Sequence, residues 1–143
     1  MDDFQSAADR PEIVTAIVKH GGRVLLCHRS AQRRWFPNVW DLPGGHVELG
    51  ETATQALVRE LREEVSICIA EPASAPRAVI DTAGFRMQIW LIDAWDGEVS
   101  NAAPDEHDEL TWADLSAIYD LKLAHSHYRA LLTDVLDASR PAT

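Results

Sequence analysis

The sequence has few cysteines and no long apolar run. Cys27 and Cys68 are the only cysteines among 143 residues, and each lies in an apolar stretch. This predicts reduced, buried thiols rather than a disulfide framework and favours the cytoplasm. The acidic N-terminus lacks the pattern of a signal peptide, and no apolar segment approaches the ~18 residues that a membrane span requires. We therefore expect neither export nor membrane insertion.

Basic residues are also scarce. Lysine and arginine total 13 against 23 aspartates and glutamates, which gives a net charge of −10, and no long basic run is present. A nucleic-acid polymer is therefore not an expected partner. The hydrophobic content of 46% is that of a folded protein. We expect a polar, mobile leader over residues 1–10 and one domain over residues 11–143.

Apolar patterns of strand and helix period follow each other along the chain. Residues 13–19 and 23–28 have strand patterns and flank a Gly-Gly pair, which predicts a hairpin. Residues 33–50 are rich in proline and glycine and predict loops with short extended pieces at 39–42 and 46–48. The other predicted strands cover residues 67–69, 77–81, 85–95, 98–100 and 110–112, and the predicted helices cover 52–65, 114–118 and 125–136.

The helix predicted over residues 52–65 carries the most informative pattern. Thr52 and Gln55 form a capping-box pair that marks its start. Glu60, Glu63 and Glu64 share one helix face, where repulsion costs roughly a few tenths of a kcal/mol per pair. A hard divalent cation such as Mg²⁺ or Mn²⁺ would compensate this repulsion, because it prefers oxygen ligands. The alternative is a solvated acidic face without a ligand.

Neighbouring residues fit a metal and phosphate site. Gly44 and Gly45 allow the backbone to approach a ligand closely, and Arg59 can orient a carboxylate or a phosphate through its fork of donors. Bound cations or local arginines would also offset the negative charge of the protein, which otherwise repels a phosphate-bearing substrate.

The stretch over residues 45–67 resembles the Nudix box, G-x5-E-x7-R-E-U-x-E-E-x-G-U, in which U is apolar. The residues in register are Gly45, Glu51, Arg59, Glu60, Leu61, Glu63, Glu64 and Ile67. The one departure is Ser66, which stands where the pattern has glycine. A left-handed residue just past a helix costs a non-glycine residue on the order of 1 kcal/mol, so Ser66 predicts either that cost or a shifted helix end.

The resemblance implies an α/β protein, namely an α/β/α sandwich with a mixed central β-sheet. It also implies Mg²⁺-dependent hydrolysis of a phosphoanhydride bond in a nucleoside diphosphate linked to another moiety, with Mn²⁺ as a substitute. Carried over by position, the metal ligands are Glu60, Glu63, Glu64 and the backbone of Gly45; Arg59 orients the carboxylates, and Gly44 and Glu51 support the loop.

Small size and the position of one acidic loop residue favour a MutT-like nucleoside triphosphate pyrophosphatase, which gives a nucleoside monophosphate and pyrophosphate. Glu106 resembles the loop glutamate of such enzymes and is the favoured general base, with Asp108, Glu109 and the helix glutamates as alternatives. Hydrolysis of ADP-ribose, another nucleotide sugar or a dinucleoside polyphosphate is a second hypothesis. A catalytically silent module that binds a nucleotide is a third.

Four residues before the box are candidates for contacts with a nucleotide substrate. Trp35 and Trp40 could stack on a base, and Arg29 and Arg34 could meet phosphates. The alternatives are packing roles for the tryptophans and a solvated surface for the arginines. The expected partner is a small nucleotide, not a nucleic-acid polymer or a membrane. Members of the family are often dimers, so a homodimer is left open.

Overall fold

The central sheet is organised around one long strand. In the computed structural model, which describes residues 10–137, the strands are β1 (Glu12–His20), β2 (Arg23–Arg29), β3 (Trp40–Asp41), β4 (Gly44–His46), β5 (Ala78–Asp81), β6 (Arg86–Ile92) and β7 (His107–Ala113). The helices are α1 (Ala53–Val65), α2 (Leu115–Asp120) and α3 (His127–Asp137). β1 pairs in parallel with β6 and antiparallel with β2 and β4. β2 also pairs with β3 and β7, while β5 lies beyond β6, so the sheet is mixed, as predicted.

Alternation along β1 separates two hydrophobic cores. Val14, Ala16 and Val18 belong to the core beneath α1, and Ile17 belongs to the core beneath α2 and α3. Successive side chains of a strand point to opposite faces, so one strand serves both cores. The helices contribute Ala56, Leu57, Leu61 and Val65 to the first core and Ile118, Tyr128, Leu132, Val135 and Leu136 to the second. Helices on both faces confirm the predicted α/β/α sandwich.

Both ends of α1 are fixed by local hydrogen bonds. Thr52 Oγ1 accepts the N–H of Gln55 at 3.2 Å, and Gln55 Oε1 accepts the N–H of Thr52 at 2.9 Å, so the capping box is confirmed. At the other end Ser66 is left-handed, with φ 64° and ψ 25°, and its N–H donates to the carbonyl of Arg62 at 3.2 Å. The helix end is therefore not shifted, and Ser66 carries the conformational cost that glycine would avoid.

Two of the predicted strands are wrong. Residues 67–69 form only an isolated bridge between Cys68 and Asp96, and residues 98–100 pair with no strand of the described chain. The N–H groups of Ser100 and Ala102 donate instead to the carbonyls of Val65 and Glu64 at 3.1 and 2.9 Å. The last carbonyls of a helix have no partner within it, so this segment completes the end of α1 rather than the sheet.

The predicted leader lies outside the described residues except for Arg10, which forms an ion pair with Asp81. The last six residues, 138–143, are outside them as well. Within the described part of the chain, no helix combines the length and the apolar character needed to cross a membrane.

Candidate active site

The carboxylate of Glu60 contacts the backbone of β4. Gly45 pairs with Val14 of β1, which fixes the main chain of β4, and α1 packs beside this strand. A Cβ atom at Gly45 would overlap the Glu60 carboxylate, with Oε2 as the nearest atom. Glycine is therefore needed here because backbone and carboxylate lie in direct contact.

Arg59 links the loop before α1 to the carboxylates on the helix. Its Nε and Nη2 donate to the Glu51 carboxylate at 2.6 and 3.1 Å, and Nη2 also donates to the carbonyl of His46 at 3.0 Å. Nη1 donates to Glu60 Oε2 at 3.1 Å and to Glu63 Oε1 at 3.0 Å. The hydrogen bonds with Glu51 are the main reason that the pKa of Arg59 lies above its ordinary value. One fixed cation thus orients three carboxylates.

Glu51 holds the loop in place. Its carboxylate accepts from Arg59 and also from the N–H of Glu48 at 2.9 Å. These two contacts, that of Arg59 first, lower the pKa of Glu51. Glu51 therefore ties the loop between β4 and α1 both to its own backbone and to Arg59 of α1.

Glu64 is a buried carboxylate with a free oxygen. It is 2% exposed, and its Oε2 has no hydrogen-bond partner among residues 10–137. Burial raises the pKa of Glu64 well above its ordinary value, and the hydrogen bond and charge of the adjacent Glu60 raise it further. Two negative charges near each other at a buried position repel, and a proton or a cation would stabilise them. A hard divalent cation fits these oxygen ligands beside the Gly45 backbone.

Glu63 stands apart from this pair. Its side chain is 59% exposed, and Oε1 accepts from Arg59. No three His, Cys, Asp or Glu side chains of the described chain are gathered at one point as a ready-made metal site. The structure therefore brings Glu60 and Glu64 together beside Gly45, whereas Glu63 as a third ligand stays a prediction.

The carboxylates line a cleft of about 760 Å³ that also has an aromatic wall. The His125 ring lies 5.0 Å from the ring of Phe36 and 5.2 Å from that of Phe85, and all three residues line the cleft. Burial is the main cause that lowers the pKa of His125, which favours its neutral form. Phe85 and His125 were not predicted as cleft residues, because only the tertiary fold brings the β5–β6 turn next to the start of α3.

The four residues predicted to contact substrate lie at different places in the structure. Arg29 and Trp35 line the cleft, but Arg34 and Trp40 are not among its lining residues in the described part of the chain. The Arg34 guanidinium lies over the Trp35 ring, 5.1 Å from its centroid. The Trp40 ring packs against His28 at 4.9 Å and joins the core beneath α2 and α3. In the structure Arg34 lies exposed over the Trp35 ring and Trp40 packs at the core, and a contact of either with substrate stays a prediction.

Arg29 supports the loop that carries the aromatic wall. Its Nη2 donates to the carbonyl of Trp35 at 2.6 Å, and its Nε donates to the carbonyl of Phe36 at 2.9 Å. Phe36 and Asn38 have positive φ angles of 51° and 59°, which non-glycine residues adopt at a cost. The Arg29 guanidinium holds this strained loop against β2. Most of its N–H donors are therefore bound to the protein itself and not free for a phosphate.

The acidic loop before β7 reaches the same cleft. Glu106 lines the cleft with a half-exposed side chain and forms an ion pair with Arg33 at 3.5 Å. His107 is 3% exposed, and its Nε2 lies 3.3 Å from Glu64 Oε1. Burial, then the charges of Arg33 and Arg29, lower the pKa of His107 to about 4, so the imidazole is neutral near pH 7. His107 was not predicted, since its neighbours in sequence give no sign that it faces α1.

Known proteins resemble this chain in sequence and in fold. The NUDIX domain matches residues 9–135. The chain is 31% identical over 134 residues to CTP pyrophosphohydrolase of Escherichia coli (strain K12), covering 92% of this chain and 96% of the relative. It is 31% identical to nucleoside triphosphatase NudI of Enterobacter sp. (strain 638), covering 78% and 86%. The crystal structure of MutT NUDIX hydrolase from Burkholderia pseudomallei superposes with a TM-score of 0.72 at 26% identity, over 87% of this chain and 96% of that one.

Fold, carboxylate pair and relatives together define a hydrolase that acts on the anhydride bonds of nucleotides. The chain belongs to the NUDIX family.

Proposed function

We propose that this protein is a Mg²⁺-dependent nucleoside triphosphate pyrophosphatase of the MutT-like kind, which releases a nucleoside monophosphate and pyrophosphate. The observation that carries the proposal is the composition of one cleft. Buried Glu64, Glu60 and the Gly45 backbone suit a cation and phosphates, and the wall of Phe36, Phe85 and His125 suits a base. The cleft volume of about 760 Å³ lies within the range of small-molecule sites.

The carboxylates of the site have separate tasks in this proposal. Glu60 and Glu64, with the Gly45 backbone, hold Mg²⁺, for which Mn²⁺ can substitute; Glu63 serves as a further ligand. Arg59 keeps Glu60 and Glu63 in place through the bonds of its Nη1. When bound, Mg²⁺ supplies charge neutralisation for the diphosphate and for the leaving phosphate.

The proton of the attacking water passes to a carboxylate. A bond forms between the water oxygen and phosphorus as the bridging P–O bond breaks, and the leaving phosphate takes up the electron pair. We assign the role of base to Glu106, which lines the cleft and carries a half-exposed side chain. Its ion pair with Arg33, at 3.5 Å, orients the carboxylate at the cleft.

The relatives support a triphosphate substrate. A CTP pyrophosphohydrolase and nucleoside triphosphatases are among them. The net charge of −10 makes a small anion paired with a cation a better ligand than a polymer. We further propose a cytoplasmic location, supported by two free thiols: Cys27 is buried as predicted, whereas Cys68 is exposed, so its predicted burial is wrong. A homodimer stays a prediction.

A panel of nucleotides with product identification tests this function. Purified protein with Mg²⁺ is given nucleoside triphosphates, oxidised triphosphates, ADP-ribose, other nucleotide sugars and dinucleoside polyphosphates. We expect a monophosphate and pyrophosphate from at least one triphosphate, with the highest kcat/KM of the panel. Ribose phosphate and AMP from ADP-ribose as the best reaction would contradict the triphosphate substrate. Nucleotide binding without turnover of any compound would identify a silent binding module instead.

A further inference from the structure

We propose that His107 is a positioning residue, which holds Oε1 of Glu64 so that Oε2 is presented to the metal site. This inference rests on the proposed function, because it assigns Glu64 as a ligand. It concerns a residue outside the Nudix box, at the start of β7.

The contact joins two buried side chains. His107 and Glu64 are 3% and 2% exposed, and Nε2 of the imidazole lies 3.3 Å from Oε1 of the carboxylate. The other carboxylate oxygen, Oε2, has no hydrogen-bond partner within residues 10–137. A carboxylate that is held at one oxygen keeps its other oxygen in a fixed direction. In Glu64 that other oxygen is Oε2, which is therefore available to coordinate a metal ion.

His107 is itself held by the segment that meets the end of α1. Its N–H donates to the carbonyl of Ala103 at 3.0 Å, and its carbonyl accepts from Nδ2 of Asn101 at 2.6 Å. Between these residues, the N–H of Ala102 donates to the carbonyl of Glu64 at 2.9 Å. One short segment therefore fixes both the backbone of Glu64 and the imidazole that contacts its side chain.

The same geometry argues against direct proton transfer to substrate by His107. Its Nδ1 has no hydrogen-bond partner in the described chain. Its Nε2 faces Glu64. The imidazole contacts the carboxylate through Nε2, at 3.3 Å from Oε1, while Nδ1 has no partner within residues 10–137. The imidazole therefore acts through Glu64.

Replacement of the imidazole by a ring without a donor tests the inference. His107→Phe keeps much of the volume, whereas His107→Gln places an amide N–H close to the position of Nε2. His127→Phe is the matched control, because His127 is exposed at the start of α3 and does not line the cleft. The dissociation constant of Mn²⁺ alone is measured by EPR, and kcat and KM are measured on the best triphosphate. Thermal unfolding monitors the fold.

We expect His107→Phe to weaken Mn²⁺ binding about 10- to 100-fold and to lower kcat with little change in KM. His107→Gln should restore both values close to those of the wild type, and His127→Phe should change neither. In a Glu64→Gln background, His107→Phe should cause no further loss of Mn²⁺ affinity, which a general packing role would not explain.

Unchanged Mn²⁺ affinity in folded His107→Phe would overturn this inference but not the proposed function. An equal loss in His107→Gln would also overturn it, because the imidazole itself would then be required. If His107→Phe does not fold, His107→Asn replaces it, because the shorter amide of asparagine does not reach Glu64. A Mn²⁺ affinity of His107→Asn equal to that of His107→Gln would then contradict the positioning role. Failure of the wild type to bind Mn²⁺ would overturn the proposed function together with the inference.

Discussion

At Gly45 the addition of one methyl group is expected to affect catalysis much more than stability. A methyl group there would overlap the carboxylate of Glu60 and no backbone atom among its three nearest neighbours. The far end of a glutamate side chain can turn away at little cost to stability. Gly44 differs, because a methyl group there would meet the backbone of Val14 and Thr15. The two glycines therefore have separate roles, Gly44 in strand packing and Gly45 in placing Glu60.

Gly45→Ala should lower kcat by about 100-fold, because it displaces the Glu60 carboxylate, a proposed metal ligand, by about an ångström or more. The free energy of unfolding should change little. Gly22→Ala is the matched control, because open space surrounds Gly22 and its φ is not positive. Steady-state kinetics and thermal unfolding measure both effects. Wild-type kcat in Gly45→Ala would contradict the contact between this backbone and Glu60.

The end of α1 is the element in which this chain departs from its family. Ser66 occupies the left-handed position at which the Nudix box has glycine, and the N–H groups of Ser100 and Ala102 complete the carbonyls of the last turn. Glu64 and Glu60 lie within one and two turns of this end, respectively. The cost at Ser66 therefore concerns the stability of α1 rather than the direction of Glu60 and Glu64.

Ser66→Gly should stabilise the protein by about 1 kcal/mol, which corresponds to a rise in Tm of roughly 2–4 °C. Ser66→Ala should give no such gain, since alanine retains the strain of a positive φ. Thermal unfolding of the three proteins measures the difference, with kcat expected to stay at the wild-type value. A Tm for Ser66→Gly at or below that of Ser66→Ala would refute this explanation.

Local patterns predicted α1 and its carboxylates, but not the elements that complete the cleft. The capping box and the spacing of Glu60 and Glu64 depend on neighbours within a few turns, so sequence alone identifies them. His107 and His125 reach the site only through strand pairing and the packing of α3. A turn signal before residues 98–100 predicts a strand there, yet in the structure the N–H of Ser100 donates to the carbonyl of Val65 at the end of α1. Sequence alone also does not decide between stacking on a base and packing for Trp40, because exposure cannot be read from residue type; in the structure its ring packs against His28 and the core beneath α2 and α3.

At the scale of the whole molecule, the negative net charge affects how a triphosphate can bind. The net charge is −10, while Arg29, Arg33 and Arg59 line the cleft. Arg59 is neutralised by Glu51, Glu60 and Glu63, and Arg29 is largely used by the loop, so the arginines alone do not offset the carboxylates. A triphosphate is therefore expected to bind together with a divalent cation rather than by itself.

Thermal unfolding with and without ligands tests this coupling. A non-hydrolysable triphosphate with Mg²⁺, at about a hundred times its dissociation constant, should stabilise the protein by about 2.7 kcal/mol and raise Tm by several degrees. The nucleotide with EDTA, or Mg²⁺ alone, should give much smaller shifts. An equal rise in Tm with EDTA present would contradict a binding mode that requires the cation.

The measurement that bears most directly on the whole account is the turnover of Glu60→Gln with Mg²⁺ and the best triphosphate of the panel. The variant removes one negative charge at the carboxylate pair while keeping its shape, and Glu98→Gln, at an exposed position away from the cleft, is the control. We predict that kcat falls by about 10²- to 10⁴-fold in Glu60→Gln, with the fold intact by thermal unfolding, and stays at the wild-type value in Glu98→Gln. A folded Glu60→Gln protein with near wild-type, Mg²⁺-dependent turnover would show that the chemistry does not take place at Glu60 and Glu64.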